Sequence, residues 1–392
     1  MKSRLVILSA LLLLWVLPLA GGALCGFPEH FFRFPPLVIH PPVHAPFLAP
    51  VFWLFAVLGL LAAGILLSAP RPVPTGSGPP RVYPVGESVS PPWPSAPIPF
   101  PLHGKLGLIL MLLSWILAWS RLDLPGPAEQ HTFFPLWLGF IFTLDGLVFR
   151  RCGHSLYSRR RPAFLLMFPV SALSWWYFEL LNRFVQNWWY PDRLDFGPLH
   201  YLIYSSLCFS TVLPAIAQIH SLLMTFPALR HRWSHGPPLH LPRTAVLFIA
   251  LGIALLPLIP RFPDPLFWAT WIAPLALLAG SLELAGSRTP FHPIKNGNWT
   301  PVMSLALAAL LCGFFWELWN AFSSPRWAYA VPYVNRFHLF AMPAVGYAGY
   351  LPFGPVCACF WLAWTGLICR QGSGARGQGS AGSDLPFLNP ES

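Results

Sequence analysis

Phe314–Tyr329 reads FFWELWNAFSSPRWAY and closes a long apolar run with one glutamate and one asparagine, followed by Trp and Tyr. Trp176–Tyr190, WYFELLNRFVQNWWY, has nearly the same layout. The apolar residues that precede each polar pair approach the roughly 20 residues that a membrane-spanning helix requires. Two such segments with the same polar ending predict a membrane protein built from a duplicated unit.

The composition supports this class of protein. The chain has 392 residues, of which 55% are hydrophobic and 9% charged, whereas soluble domains carry about 25% charged residues. The net charge of +11 comes from Lys and Arg in short loops between apolar runs, as the positive-inside rule predicts. The lipid bilayer is therefore the expected partner, and nucleic acid is not. The seven cysteines form neither a CxxC pair nor a zinc spacing, so no metal is predicted. The sequence has no Walker loop and no nucleotide fingerprint, and no cofactor is predicted.

The chain divides into segments of different composition. Residues 1–24 have a basic start and an apolar run, which is typical of either a cleavable signal peptide or a first transmembrane helix. Residues 25–68 form a Pro-rich, aromatic outer segment followed by a transmembrane helix. Residues 69–102 are a Pro-rich cytoplasmic linker of polyproline type. Residues 370–392 are predicted to be a disordered cytoplasmic tail because they are rich in Gly and Ser.

The predicted fold class is all-α, a polytopic transmembrane helix bundle of nine or ten spans. Most Lys and Arg, including Arg159–Arg161, fall in loops on the side of the N-terminus. This asymmetry predicts a protein of the inner membrane with a cytoplasmic C-terminus. After the linker, eight spans are expected, at about 104–120, 134–149, 163–182, 200–224, 244–260, 266–286, 300–320 and 343–369.

The second half of the chain repeats the first at an offset of 138 residues. The matched residues are Glu179 with Glu317, Asn182 with Asn320, Asp145 with Glu283, Arg150 with Arg288 and His154 with His292; after one inserted residue, Trp188 matches Trp327 and Tyr190 matches Tyr329. A unit of four spans is even, so the copies, 104–225 and 242–369, have the same orientation. The prediction is two parallel four-helix repeats related by a pseudo-twofold axis along the membrane normal.

The glutamates and asparagines are the candidate catalytic residues. Glu179 and Asn182, like Glu317 and Asn320, are three residues apart and share one helix face. A protonated Glu at this level can act as a general acid on a lipid double bond or headgroup. It can equally carry a proton in a transporter, or accept hydrogen bonds that fix helix packing. The candidate substrate-binding residues are Trp188, Tyr190, Trp327, Tyr329, His200 and His338.

A second polar group is expected at the inner ends of the spans. Its members are Asp145, Glu283, Arg150, Arg288, His154 and His292. The inner and outer carboxylates lie near opposite sides of a hydrocarbon core about 30 Å thick, so they cannot form one catalytic pair. A transporter would use both levels, and an enzyme would use one.

Three features in order carry a resemblance to a known family: W-E-x-x-N, then W-x-Y, then GYAGYLPF from Gly346 to Phe353. Their layout resembles the duplicated membrane domains of lycopene-cyclase-type carotenoid enzymes, over about 134–225 and 266–369. The Pro-x-Glu-Glu signature of that family does not occur here, since Pro352 is followed by Phe353, Gly354 and Pro355. The resemblance implies a lipid or isoprenoid ligand.

We therefore interpret the chain as a membrane enzyme that acts on a lipid or isoprenoid through interfacial carboxylates. Two alternatives stay open. One is a proton-coupled small-molecule transporter. The other is a structural or assembly protein that presents the linker at 69–102 to a partner. The sequence does not indicate the oligomeric state.

Overall fold

Ten apolar helices account for most of the chain in the computed structural model, which describes residues 2–36, 41–68, 98–120, 129–191, 196–240 and 243–368. They are α1 (Lys2–Cys25), α2 (Ala49–Leu67), α3 (Leu102–Ser120), α4 (Phe133–Cys152), α5 (Arg161–Val185), α6 (Pro198–Met224), α7 (Thr244–Leu258), α8 (Ala269–Leu284), α9 (Thr300–Asn320) and α10 (Ala344–Ile368). Eight of these are long and apolar enough to cross a membrane, whereas α7 and α8 are shorter. The expected all-α class is confirmed, and the eight long apolar helices support a multi-pass membrane protein. The finer count of nine or ten spans stays a prediction. Most of the linker at 69–102 and the tail at 370–392 lie outside the described residues.

Helices α4 and α5 each end at a residue in the left-handed backbone conformation. Gly153 has φ 80° and donates its backbone N–H to Phe149 O at 2.7 Å, which ends α4. Gln186 has φ 49° and donates to Asn182 O at 2.8 Å, which ends α5. Because this conformation reverses the chain direction, the residues that follow α5 fold back over its last turn.

Small residues bring helices α3 and α4 into close contact. A Cβ atom added to Gly139 would lie 2.5 Å from Met111 N and 2.7 Å from Gly107 O. Only a glycine leaves room for the neighbouring backbone at that separation. Such contacts are typical of membrane helices, which associate by tight packing because lipid provides no hydrophobic drive between them.

The helices pack in corresponding pairs in the two halves of the chain. Helix α3 packs on α4 as α7 packs on α8. Helix α4 contacts α6 as α8 contacts α10, and α5 contacts α6 as α9 contacts α10. The halves meet through α6 on α9 and α10 on α5. Helix α1 adds to this bundle by packing on α8 and α10, and its Leu14 is fully buried.

Four two-residue strands lie in the loops at one end of the bundle. Strand β1 (Trp188–Trp189) follows α5 and pairs antiparallel with β2 (Ala328–Tyr329), which follows α9. Strand β3 (His338–Leu339) pairs with β4 (Met342–Pro343). The first pair is a direct backbone connection between the two halves, and the sequence did not predict it.

Candidate functional site

Glu179 lies one and a half turns before the end of α5 and is 7% exposed. Its Oε1 accepts three hydrogen bonds, from Trp175 Nε1 at 3.2 Å, Trp188 Nε1 at 3.0 Å and the Tyr190 hydroxyl at 2.8 Å. Asn182 binds the backbone of Trp188, where the chain folds back after the end of α5. Its Nδ2 donates to Trp188 O at 2.8 Å, and its Oδ1 accepts from Trp188 N at 3.3 Å. We call these five residues the Glu179 cluster.

The second cluster is built in the same way at the end of α9. Glu317 is fully buried, and its Oε1 accepts from the Tyr329 hydroxyl at 2.6 Å and from Trp327 Nε1 at 3.4 Å. Asn320 Nδ2 donates to Trp327 O, and Asn320 Oδ1 accepts from Trp327 N, both at 2.8 Å. The hydroxyl of Tyr350 on α10 adds a third bond to Glu317 Oε1 at 3.2 Å. We call these five residues the Glu317 cluster.

The third donor is the difference between the two clusters. In the first half it is Trp175, one helical turn before its glutamate. The position 138 residues later is Gly313, where an added Cβ atom would lie 2.4 Å from the Tyr350 ring. The glycine leaves the space into which the Tyr350 ring packs, and the phenol then replaces the indole as donor to the carboxylate.

The two clusters are joined through β1 and β2. Trp188, whose backbone Asn182 binds, is paired with Tyr329, which donates to Glu317. Aromatic contacts also cross between the halves. Phe133 on α4 packs edge-on against Trp327 at a centroid distance of 5.9 Å, and Trp271 on α8 stacks on Trp188 at 6.0 Å. The two clusters therefore form one continuous aromatic structure.

A cavity of about 900 Å³ lies against this structure, near the upper end of the range of 300–1,000 Å³ found for small-molecule sites. Most of its wall is aromatic or aliphatic. The cluster residues that line it are Trp175, Trp188, Tyr190, Trp327, Tyr329 and Tyr350. Among the described residues, neither carboxylate is part of this wall. Glu179 borders a separate pocket of about 40 Å³, and Glu317 is enclosed behind its donors.

The phenols of Tyr190 and Tyr329 are kept protonated by their surroundings. Burial, followed by the charge of Glu179, raises the pKa of Tyr190 well above its usual value. Burial and then Glu317 do the same for the pKa of Tyr329. Both hydroxyls are therefore hydrogen-bond donors at neutral pH, and each stands between a carboxylate and the cavity.

The two candidate histidines lie apart from the clusters. His200 is exposed and its Nε2 is 2.8 Å from Nε2 of His131, with the rings stacked. His338 is exposed in β3 and its Nε2 contacts Asn335 Oδ1 at 3.1 Å. Neither belongs to the described wall of the large cavity. In the described ranges, no group of three or more His, Cys, Asp or Glu is placed to hold a metal ion.

Asp145 lies at the opposite end of the bundle and is fully buried. Its oxygens accept from His103 Nε2 at 3.0 Å, Ser155 Oγ at 2.6 Å, Gln218 Nε2 at 2.7 Å and Tyr157 N at 3.1 Å. These donors come from α3, α6 and the connection before α5. The aspartate therefore ties several parts of the first half together.

The matched Glu283 has different surroundings. It is partly exposed and forms an ion pair with Lys295, with 2.7 Å between Oε1 and Nζ. Arg150, Arg288 and His292 are exposed, and His154 is half-buried beside Ser155. Asp145 is thus held by several neutral donors and one histidine, whereas Glu283 is paired with a lysine, and the two inner sites are not alike.

Sequence reasoning missed two donors to the carboxylates. Trp175 had a detectable signal, because a residue four positions before Glu179 shares its helix face. Tyr350 had none, since its contact with Glu317 depends on how α10 packs on α9.

A scan of family models gives no match to this chain, and neither the curated proteins nor the solved structures contain a significant match.

Proposed function

We propose that this membrane protein binds a lipid or isoprenoid in the large aromatic cavity and acts on it as an enzyme by proton transfer. One observation carries the proposal. Two buried carboxylates are each hydrogen-bonded to a tyrosine hydroxyl, and both tyrosines line the same cavity. An ionisable side chain within a membrane bundle is a functional candidate by default, because its burial is costly.

The cavity wall suits a long apolar ligand. Trp175 and Trp271 each meet Phe353 edge-on within it, and rings in such arrangements present faces to a guest. Aromatic faces stabilise positive charge, which develops when a double bond is protonated. The choice of an isoprenoid rests on this property and on the resemblance to carotenoid enzymes.

The chemistry we infer begins at the phenols. The Tyr329 hydroxyl passes its proton to a substrate double bond while the acid form of Glu317 delivers a proton to the same phenol oxygen, so no free phenolate forms. The substrate becomes a cation and the glutamate a carboxylate. When the rearranged cation loses a proton along the reverse path, the enzyme is restored and no further reactant is needed. Tyr190 and Glu179 provide the equivalent path in the first half. In this scheme the glutamic acids are the source of the proton and the tyrosines, which line the cavity, deliver it to the substrate.

We further infer that the two halves are parallel four-helix repeats. The corresponding helix pairs, the two Glu–Asn–Trp–Tyr clusters and the crossed contacts of Phe133 and Trp271 all support a pseudo-twofold relation. Phe133 and Trp271 are themselves 138 residues apart. The distribution of Lys and Arg supports insertion into the inner membrane with a cytoplasmic C-terminus.

The transporter alternative has less support. A matched relay would need equivalent acids at both levels, but Asp145 is enclosed by four donors whereas Glu283 is paired with a half-exposed lysine. The assembly alternative depends on the linker, most of which lies outside the described residues.

A comparison of membrane lipids and pigments tests the enzyme proposal. We expect a deletion strain, the double variant Glu179→Gln with Glu317→Gln, and the double variant Tyr190→Phe with Tyr329→Phe to accumulate the same precursor. Two control variants should match the wild type: Glu29→Gln changes an exposed carboxylate, and Tyr157→Phe changes a phenol at the far end of the bundle. The proposal is rejected if the deletion strain and both cluster variants have the wild-type profile at wild-type protein levels.

A further inference from the structure

The wall of the large cavity contains one charged side chain among the described residues, that of Arg326. Arg326 is exposed and immediately precedes Trp327, whose backbone is held by Asn320. A guanidinium at the rim keeps contact with water, so its charge is not lost to desolvation. It nevertheless borders a space that is otherwise apolar over most of its surface.

The corresponding residue of the first half is neutral. Asn187 immediately precedes Trp188, which Asn182 holds in the same way, and it also lines the cavity. Asn187 is 5% exposed, and its Nδ2 donates to Phe267 O at 3.1 Å. The cavity therefore has a polar residue at equivalent places in both halves, but a cation in only one. This difference places positive charge at one of the two equivalent positions of the wall.

The energetics of a membrane ligand make this difference decisive. A lipid that moves from the bilayer into an apolar cavity exchanges one hydrocarbon environment for another, so burial of its chain contributes little net free energy. Selection among lipids then depends on the polar end. Guanidinium groups bind phosphate and carboxylate oxygens through paired, charge-assisted hydrogen bonds.

We propose that the cavity takes an anionic isoprenoid lipid, with a phosphate-type headgroup on Arg326 and its chain along the rings of both clusters. This inference rests on the proposed function and adds the class of headgroup and its position. The headgroup at the rim stays hydrated, and the double bonds nearest to it lie against Tyr190, which follows β1, and Tyr329 on β2. The uncharged end of the cavity at Asn187 receives the far end of the chain.

Equilibrium binding to the full chain in neutral-lipid nanodiscs tests the proposal. The probes are radiolabelled farnesyl phosphate, radiolabelled farnesol and unlabelled inorganic phosphate as a competitor. We expect farnesyl phosphate to bind at least about tenfold more tightly than farnesol. Arg326→Gln should weaken farnesyl phosphate roughly ten- to hundredfold, the range for loss of a charge-assisted hydrogen bond, and leave farnesol unchanged. Arg336→Gln is the matched control, because Arg336 is an exposed arginine ten residues further on that packs on Phe47 away from the wall.

Each other outcome counts against a definite part of the reasoning. The headgroup assignment is overturned if the wild type binds the two probes equally. It is also overturned if Arg326→Gln weakens the binding of both probes equally. In either case the proposed apolar binding site in the cavity still stands. Displacement of farnesyl phosphate by inorganic phosphate at similar concentration shows a site for the free anion and overturns the lipid assignment. Failure of the wild type to bind either lipid overturns both this inference and the proposed function.

Discussion

The loop anchored by Asn320 provides the sharpest test of the site's construction. Replacing Asn320 with Leu keeps the side-chain size and removes both hydrogen bonds to the backbone of Trp327. Bonds between side chains in membrane bundles contribute about 0.6 kcal/mol on average and at most about 1.7 kcal/mol. A buried backbone group left without a partner costs about 1–3 kcal/mol. Because Trp327 is only half-buried, water can form some of the hydrogen bonds that Asn320 no longer makes. We therefore expect Asn320→Leu to lower the free energy of unfolding by about 1–3 kcal/mol in total.

The equivalent change, Asn182→Leu, should cost more. Its bond to Trp188 N is longer, at 3.3 Å, which alone would make the loss smaller. Trp188, however, is 6% exposed, so water is largely excluded from the freed N–H and C=O groups. Leaving a buried backbone group without a hydrogen bond costs more free energy than losing a weak hydrogen bond. The deeper burial of Trp188 therefore makes Asn182→Leu the more destabilising of the two variants. The double variant should cost less than the sum of the two, because β1 and β2 support each other through their pairing.

Reversible unfolding in mixed micelles measures these free energies of unfolding, with Asn296→Leu at an exposed position as the control. The account of the anchors is refuted if Asn320→Leu unfolds within about 0.5 kcal/mol of that control, the range of ordinary surface substitutions. Strict additivity of the two cluster variants would show that the halves are independent.

Three further outcomes can be measured by the same unfolding assay. Gly313→Ala should lose about 1–3 kcal/mol by overpacking, since its Cβ atom would lie 2.4 Å from the tyrosine ring of α10; Gly64→Ala, with no atom within 4 Å, should be neutral or stabilising, and equal effects would contradict the packing. Asp145→Asn should cost at least about 2 kcal/mol because four donors depend on a buried carboxylate, whereas Glu283→Gln should cost less than about 1 kcal/mol for a partly exposed ion pair; the reverse order would be inconsistent with the two environments. His292 is largely exposed, but partial loss of contact with water, then the nearby lysine and arginine, lowers its pKa, so the folded protein binds this proton less readily than the unfolded chain. Stability should therefore decrease as the pH falls below about 6.5, and His292→Gln should remove that part of the slope; an unchanged slope would exclude His292 as its source.

Much of the fold could be predicted from composition and the lengths of the apolar runs. In lipid, a chain must satisfy its backbone hydrogen bonds internally, so long apolar runs become helices almost regardless of their neighbours. The predicted span at 200–224 corresponds to Pro198–Met224, and that at 300–320 to Thr300–Asn320. The same reasoning overestimated the spans at 244–260 and 266–286, whose helices are shorter. The length and composition of an apolar run do not show whether its last residues are helical or form turns.

The candidate site was predicted only in its local parts. The spacing of Glu317 and Asn320 correctly predicts one shared helix face, and both residues contact the Trp327–Tyr329 loop. The association of His338 with this cluster was expected from its distance along the chain, but the β3–β4 hairpin places it elsewhere. Spacing along a loop does not determine direction, because each loop residue can turn the chain independently.

The sequence by itself determined the class of protein, the positions of the helices and the polar residues that recur in its two halves. These properties follow from hydrophobicity and helical periodicity, which act over a few residues. The tertiary structure decided that both clusters border one cavity, that Tyr350 replaces Trp175 as a donor, and that the carboxylates stand behind the phenols. Those relations depend on how α5, α9 and α10 pack, and packing is set by contacts between residues far apart in the chain.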